Sequence, residues 1–222
     1  MKFSQLLLLG LLAMWTFVAS AAAEIPAAKA PTRCGNIDVP YPFGLDPQCA
    51  IHGDFVLNCS TVGRDTKLFL YNMEVIKVSV PDGKVWVKTL IACQCYNQTT
   101  NSLSIFNVWM SLPSTYALSA DDNKVIVIGW PSSGPALDKQ NAPKNGSCSG
   151  AGCCQADLPK GVRQYDSFFQ EGYNTSQIWR TSPCNYITVM ETAAFNFSTT
   201  YLTSTVFYDM TTHGNRLCWN GG

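Results

Sequence analysis

The sequence predicts a mainly β, disulfide-rich secreted protein, with two cysteine-stapled β lobes joined by a connector rich in Pro, Gly and Ser. Three observations predict it. An apolar N-terminal stretch is followed by small residues, and ten cysteines are spread over the 222 residues. Short runs of β-branched and aromatic residues alternate with turn residues, which is typical of strands. About 200 residues follow the apolar stretch, so we expect disulfides to reinforce a hydrophobic core rather than replace it.

The N-terminal stretch has the layout of a secretory signal peptide. Lys2 precedes the apolar run of residues 6–18, and the small residues that follow offer cleavage after Ala21 or Ala23. An uncleaved anchor is the alternative, because the stretch approaches the roughly 20 apolar residues that span a bilayer. The later apolar run at 125–130 is too short for this. We therefore expect a secreted chain without a membrane span once the leader is removed.

Ten cysteines in a chain bound for an oxidising compartment indicate up to five disulfides, whose pairing the sequence does not determine. Zinc binding is the competing explanation for closely spaced cysteines. The spacings of Cys93 with Cys95 and of Cys153 with Cys154 are not those of tetrahedral zinc knuckles, so no metal is predicted. The predicted disulfide cysteines are Cys34, Cys49, Cys59, Cys93, Cys95, Cys148, Cys153, Cys154, Cys184 and Cys218.

Glycosylation signals and charge agree with an extracellular address. At Asn58 a glycan competes with the disulfide expected at Cys59. The N-x-S/T acceptors are Asn58, Asn97, Asn145, Asn174 and Asn196. Charged residues make up 14% of the chain, with equal numbers of acidic and basic side chains. The basic footprint of a nucleic-acid-binding protein is absent, so a charged partner must be bound by a local patch.

Residues 67–95 are the clearest β region, with a Pro-Asp-Gly turn signal at the middle. A two-residue turn at Asp82 and Gly83 pairs Val80 with Val85. In that register one face of the hairpin can be buried. It consists of Ile76, Val78, Val80, Val85 and Val87.

The opposite face of this predicted hairpin places a tryptophan among lysines. It consists of Lys77, Ser79, Lys84, Trp86 and Lys88. Lys77 lies directly opposite Lys88 in this register, and facing like charges destabilise a sheet, so an anionic ligand would relieve them. Trp86 offers a flat amphipathic surface for a sugar ring. A solvated face that binds nothing is the alternative interpretation.

Further strands are predicted at 103–110, 124–130 and 185–197. Residues 131–152 are rich in Pro, Gly, Ser and Asn, and are predicted to form a long connector. A short helical turn is possible at 174–179. These elements divide the chain after the leader into two β lobes.

The segment CGNIDVPYPFG, which begins at Cys34, resembles the signature of the galacturonan-binding domain at the extracellular N-terminus of plant wall-associated receptor kinases. The resemblance continues in GDFVLNCS, EVIKVSV and ACQCYN, and returns in GSCSGAGCCQADLPKG and SPCNYITVMETAAFNFS. These long motifs together span nearly the whole chain after the leader. The sequence is therefore identified as similar to this extracellular domain, as a kinase-less or truncated member.

Three departures from the family pattern stand out. Family members commonly carry another cysteine shortly before the Cys-Gly-Asn motif, whereas residues 27–33 contain none. They often carry a cysteine after the Ile-Gly pair that here precedes Trp130. No glycine-rich kinase loop, H-R-D or D-F-G motif occurs in the chain, so no phosphoryl transfer is expected of it.

With the resemblance, the chain is expected to comprise five parts. These are a signal peptide (1–23), a short linker (24–33), a galacturonan-binding domain of the wall-associated-kinase type (34–110), a connector with one strand (111–147) and a C-terminal cysteine-containing lobe (148–222).

The resemblance implies binding of pectin, an acidic polysaccharide, in the plant apoplast or cell wall. Demethylated galacturonan carries regularly spaced carboxylates, which basic side chains bind by charge-assisted hydrogen bonds. Prolines stiffen the opening loop and lower the ordering cost of binding, with Tyr41 a candidate ring contact and Phe43 expected in the core. The candidate ligand-binding residues are Arg33, Tyr41, Lys77, Lys84, Trp86 and Lys88. Lys160 and Arg163 form a second, weaker candidate patch.

The sequence supports other functional classes less well than pectin binding. A secreted hydrolase needs a carboxylate pair or an activated nucleophile, and the chain has two histidines and no G-x-S-x-G motif, so no catalytic residue is predicted. Asp121 and Asp122 lack the ligand spacing of a calcium loop, so neither metal nor cofactor is expected. The alternative function is recognition of a protein or peptide, such as a membrane receptor in apoplastic signalling or defence.

Overall fold

The computed structural model describes residues 32–88, 90–129, 143–150, 152–169, 180 and 182–207. The predicted signal peptide, most of residues 131–152 and the helical turn at 174–179 lie outside these residues, as do Asn174 and Cys218. Within the described part, no helix is long and apolar enough to cross a membrane.

The described residues form strands with very little helix, which confirms the mainly β fold class. The strands are β1 (Arg33–Cys34), β2 (Ile37–Asp38), β3 (Asn58–Val62), β4 (Asp65–Leu70), β5 (Met73–Ser79), β6 (Lys84–Val87), β7 (Ile91–Asn97), β8 (Ser102–Phe106), β9 (Val108–Ser111), β10 (Asn123–Ile128), β11 (Cys153–Asp157), β12 (Gln164–Ser167) and β13 (Cys184–Glu191). One short helix, α1, spans Thr200–Thr203.

The strands are arranged in two larger sheets and two ribbons. An antiparallel four-stranded sheet has the order β3-β4-β5-β6, and a five-stranded sheet has the order β11-β10-β13-β7-β8. The ribbons are β1-β2 and β9-β12. Strand β10 therefore comes from the predicted connector but lies inside the five-stranded sheet. The predicted domain boundaries stay a prediction.

The first hydrophobic core lies on one face of the four-stranded sheet. Alternation along β4 points Leu68 and Leu70 inward, and β5 adds Met73 and Val75. The β1-β2 ribbon and the opening loop cover this face with apolar side chains of their own. The opposite face of the sheet is thus left available for polar side chains.

The second core lies against the five-stranded sheet. Ile126, Ile128 and Tyr186 project from its central strands, and all three are essentially inaccessible to solvent. Residues of the C-terminal segment, among them Leu202 and Phe207, close this core. The predicted strand at 103–110 is divided into β8 and β9, which belong to different sheets. The predicted strands at 124–130 and 185–197 correspond to β10 and β13, although β13 ends at Glu191 and a short 3-10 helix follows.

The opening loop is a packing corner with one exposed ring. Phe43 is buried, with its ring centroid 5.3 Å from that of Phe55, which confirms the core position expected for it. A Cβ on Gly44 would lie 2.7 Å from the backbone of Cys49, so the loop closes only with glycine here. Tyr41, by contrast, is 63% exposed.

Disulfides cross-link segments of both hydrophobic cores. Their described pairs are Cys34–Cys59, Cys95–Cys184 and Cys148–Cys153. Cys93 is also disulfide-bonded. The first pair fastens the β1-β2 ribbon to β3, and the second joins directly paired positions of β7 and β13.

The prediction that all ten cysteines form disulfides was wrong for two of them, because Cys49 and Cys154 are free. Neighbouring residues of a strand point to opposite faces, so Cys153 enters the core while Cys154 is exposed on the edge strand β11. An even cysteine count therefore misled the prediction. Cys49 and Cys154 are thus left as thiols.

The hairpin of β5 and β6 is built on a longer turn than the sequence predicted. Ser79 pairs with Lys84, so residues 80–83 form a four-residue turn in which the amide of Gly83 donates to the carbonyl of Val80 at 3.0 Å. Gly83 has a φ of +61°, which favours glycine. The predicted pairing of Val80 with Val85 was wrong by two residues, since Val85 pairs with Val78. A shift of two residues keeps every side chain on its face, so the alternating pattern does not distinguish the two registers.

The longer turn and an irregularity near Ile76 change the predicted faces. Val78, Val85 and Val87 pack against the first core as predicted. Val80 and Ile76 are 41% and 55% exposed, so their predicted burial was wrong. Val80 lies in the turn, and the register shifts between Val75 and Lys77, which leaves Ile76 outside the regular alternation.

Candidate functional site

The face of β5 and β6 turned away from the first core gathers the lysines that the sequence singled out. We call it the lysine face and define it as Lys67, Lys77, Lys84, Trp86 and Lys88 with the carboxylate of Glu74. Lys67 comes from β4, where it alternates with the buried Leu68. Lys67 was not among the predicted binding residues, although that alternation is visible in the sequence.

Trp86 lies at the centre of the lysine face and is half-buried. The Nζ of Lys77 lies 4.4 Å from the centroid of the Trp86 ring, a cation–π geometry. The indole Nε1 donates to Oε1 of Glu191 at 3.3 Å. The ring is therefore held between a lysine of its own sheet and a carboxylate of the five-stranded sheet.

The predicted opposition of Lys77 and Lys88 was wrong. Lys77 pairs with Trp86 across the strands, because the register differs from the predicted one. Lys88 directly follows β6, and its amide donates to the carbonyl of Glu74 at 2.8 Å. The sheet therefore carries no direct like-charge pair at this position.

Glu74 compensates two lysines at one end of the face. Its Oε1 lies 2.8 Å from the Nζ of Lys88, and its Oε2 lies 3.1 Å from the Nζ of Lys67. Burial alone would raise the pKa of Glu74, but the hydrogen bonds from Lys88 and Lys67 outweigh it and lower the pKa. Within the described residues Lys77 forms no ion pair. Two lysines thus share a single carboxylate at this end, and Lys77 is left without an acidic partner in the described part of the chain.

Lys84, at the turn end of the face, is paired with a carboxylate from the other sheet. Its Nζ lies 2.7 Å from Oδ2 of Asp122. The hydrogen bond from Lys84 lowers the pKa of Asp122, and a hydrogen bond from Ser119 lowers it further. The hydrogen bond to Asp122 raises the pKa of Lys84, and the charges of Asp82 and Glu191 raise it further. The lysine face is therefore polarised, with a positive end at Lys77 and Lys88 and a neutralised end at Lys84.

The structure does not bring the other two candidate ligand-binding residues to the lysine face. Arg33 belongs to the ribbon that covers the first core on the opposite side of the sheet, and its guanidinium lies 3.5 Å from the carboxylate of Asp38. Tyr41 is exposed in the loop that follows this ribbon. Lys160 and Arg163 are exposed and lie near strand β12. Their roles in binding stay predictions.

Four of the five glycosylation acceptors lie in the described part. Asn58, Asn145 and Asn196 are exposed, and Asn97 is half-buried at the end of β7. The side-chain oxygen of Asn145 accepts a hydrogen bond from the backbone amide of Thr199 at 2.8 Å. The side-chain nitrogen of Asn145, the atom that would carry a glycan, takes no part in this hydrogen bond. Their occupancy stays a prediction.

Comparison with known proteins identifies what the chain resembles. Residues 29–89, which include most of the lysine face, match the family model for wall-associated receptor kinase galacturonan-binding domains. Wall-associated receptor kinase 2 of Arabidopsis thaliana is 31% identical over 186 residues, which is 78% of this chain and 25% of that protein. Wall-associated receptor kinase 5 of the same plant is 26% identical over 214 residues, covering 89% of this chain and 28% of the relative.

The chain spans about a quarter of the length of these curated relatives. No solved structure matches it. The matched family model describes a binding domain rather than a catalytic one.

Proposed function

This chain contains an extracellular galacturonan-binding domain of the wall-associated receptor kinase type, and on that premise we propose that it binds demethylated galacturonan in the plant cell wall. The observation that carries the proposal is the positive end of the lysine face, which lies within the segment matched by the family model. Binding at the wall as an extracellular module is the function that these residues support best.

The charge distribution favours a polyanionic ligand. Lys67 and Lys88 share one carboxylate, that of Glu74, and Lys77 forms no ion pair within the described residues, so this end of the face carries a surplus of positive charge. A galacturonan chain presents carboxylates at regular intervals, and two of them would supply the missing partners as charge-assisted hydrogen bonds. The chain as a whole has no net charge, so the attraction is local.

Trp86 acts in this proposal by positioning Lys77. Since the Lys77 ammonium lies over the ring, a sugar that stacked on that face of the indole would have to displace it. The hydrogen bond to Glu191 fixes the indole from the other sheet. A preorganised lysine loses less side-chain entropy when it binds a carboxylate.

The test measures binding of Lys77→Gln, Lys88→Gln and the double variant to demethylated galacturonan by calorimetry. We expect each single variant to weaken binding by about tenfold, the loss of one charge-assisted hydrogen bond. Lys144→Gln is the matched control, since Lys144 is exposed and lies outside both candidate patches. An unchanged affinity of the double variant would exclude the lysine face as the site.

Recognition of a protein or peptide, such as a membrane receptor, is the other outcome of this experiment. Salt-insensitive binding to a protein partner, together with no affinity for any galacturonan, would assign the module to that class instead.

A further inference from the structure

The ribbon of β9 and β12 has one buried face and one exposed face. Val108 and Ser167 point inward and are each 5% exposed. The alternate positions point outward, and two of them carry large aromatic rings: Trp109 is 65% exposed and Phe168 is 63% exposed. Single exposed apolar residues are common on protein surfaces, but two large rings on one ribbon face are a feature of binding sites.

The two rings lie toward the same end of the ribbon. Trp109 pairs with Asp166, and Phe168 follows directly after Ser167, the last residue of β12, which pairs with Val108. Residues two apart in an extended segment share a face, and diagonal neighbours on a sheet have Cα atoms about 7–8 Å apart, within reach of aromatic side chains. The amide of Phe169 donates to Oδ1 of Asn107 at 3.1 Å, which ties the segment after β12 to the start of β9. The rings therefore stand on a ribbon held from below by the core and at its end by this hydrogen bond.

The charge of this face differs from that of the lysine face. Strands β9 and β12 contain no lysine or arginine. Asp166 pairs directly with Trp109, and its carboxylate accepts a hydrogen bond from Nε2 of Gln164 at 3.4 Å. A polyanion would meet a like charge here, whereas an uncharged sugar would find hydrogen-bond acceptors and donors beside flat apolar surfaces.

We propose that the outer face of the β9-β12 ribbon, formed by Trp109, Phe168 and Asp166, binds methylesterified galacturonan. In this polymer the carboxylates are capped as methyl esters, so the apolar faces of the sugar rings pack on Trp109 and Phe168 and a hydroxyl donates to Asp166. The proposal rests on the proposed function, because it assigns a second form of the same wall polysaccharide to a second surface. The two surfaces then bind the charged and the esterified stretches of one chain.

The test measures binding of fully methylesterified galacturonan, demethylated galacturonan and cellohexaose by calorimetry, using the oxidised, glycosylated chain. We expect Trp109→Ala and Phe168→Ala to weaken binding of the methylesterified polymer by about tenfold each, the loss of a central aromatic contact. Trp109→Phe should lose less, because a ring remains. Val62→Ala is the control, since Val62 is 48% exposed on strand β3 of the other sheet.

Each outcome decides the proposal separately from the proposed function. Loss of methylesterified binding in Trp109→Ala with intact binding of the demethylated polymer supports it. If the wild type binds only the demethylated polymer, the ribbon proposal is overturned while the proposed function stands. Binding of cellohexaose in place of the esterified polymer overturns it, and so does a dimer that dissociates in Trp109→Ala. If the wild type binds no galacturonan, both proposals fall.

Discussion

The two tryptophans within the described residues are held in opposite ways. Trp86 is half-buried under Lys77 and donates to a carboxylate of the neighbouring sheet, whereas Trp109 is 65% exposed on a ribbon without basic residues. Trp86 was predicted as a ring contact because of the lysines around it. In the structure Lys77 lies over the Trp86 ring, so a neighbouring lysine holds the ring in a polar contact within the protein. Fractional exposure, rather than neighbouring charge, decides which ring can meet a ligand.

The largest expected effect is on stability, and it separates the two tryptophans directly. Trp86→Ala removes a half-buried ring that joins two sheets, so we expect the free energy of unfolding to fall by about 2–3 kcal/mol. Trp109→Ala removes a mostly exposed ring and should change it by about 0.5 kcal/mol or less. Urea unfolding followed by circular dichroism measures both. Equal losses of unfolding free energy in the two variants would contradict the different roles assigned to the two tryptophans.

A second contrast concerns salt. Raising the ionic strength from about 0.1 M to about 1 M shortens the screening length from about 10 Å to about 3 Å. Binding of demethylated galacturonan to the lysine face should weaken by about tenfold or more over this range, because exposed charge pairs are screened. Binding of the methylesterified polymer should change by about twofold at most. A common salt dependence for the two polymers would indicate a single shared surface.

A third contrast uses pH, because only the lysine face contains a carboxyl held between two lysines. The pKa of Glu74 is lowered in the folded protein from its ordinary value of 4.5. Its contribution to stability is therefore present above pH 4.5 and is lost as the pH falls through the lower folded-state pKa. We expect Glu74→Gln to cost about 1 kcal/mol at neutral pH, and the difference from the wild type to shrink in acid. A difference that stays constant from pH 7 to pH 3 would contradict this account of Glu74.

The smallest expected effect is on the affinity of the Lys84→Gln variant, at the turn end of the lysine face. Lys84 is already paired with Asp122, so Lys84→Gln should change the affinity for demethylated galacturonan by about twofold or less. Titration calorimetry beside Lys77→Gln provides the measurement. A loss at Lys84 as large as that at Lys77 would show that the ligand displaces Asp122 and that the face is not polarised.

Local patterns in the sequence predicted much of the fold. Alternating apolar residues located β10 and β13, and the opening motif placed Phe43 in the core. The hairpin register was not predictable in the same way, since a shift of two residues keeps every side chain on its face. Only the turn geometry distinguishes the two registers, and the observed turn has four residues instead of two.

The candidate site was predictable in its membership but not in its electrostatics. Alternation brought Lys77, Lys84 and Trp86 to one face from the sequence alone. Their partners Asp122 and Glu191 come from the other sheet, and Glu191 is separated from Trp86 by 105 positions. No local pattern records such contacts, so the neutralised end of the face emerged only from the tertiary structure.

The most direct test of the central claim compares wild type with the Lys77→Gln, Lys88→Gln double variant on demethylated and methylesterified galacturonan. The account predicts that the wild type binds the demethylated polymer and that the double variant loses this binding while keeping its affinity for the methylesterified one. Undiminished binding of the demethylated polymer by a folded double variant would contradict it, because the positive end of the lysine face would then not be the site.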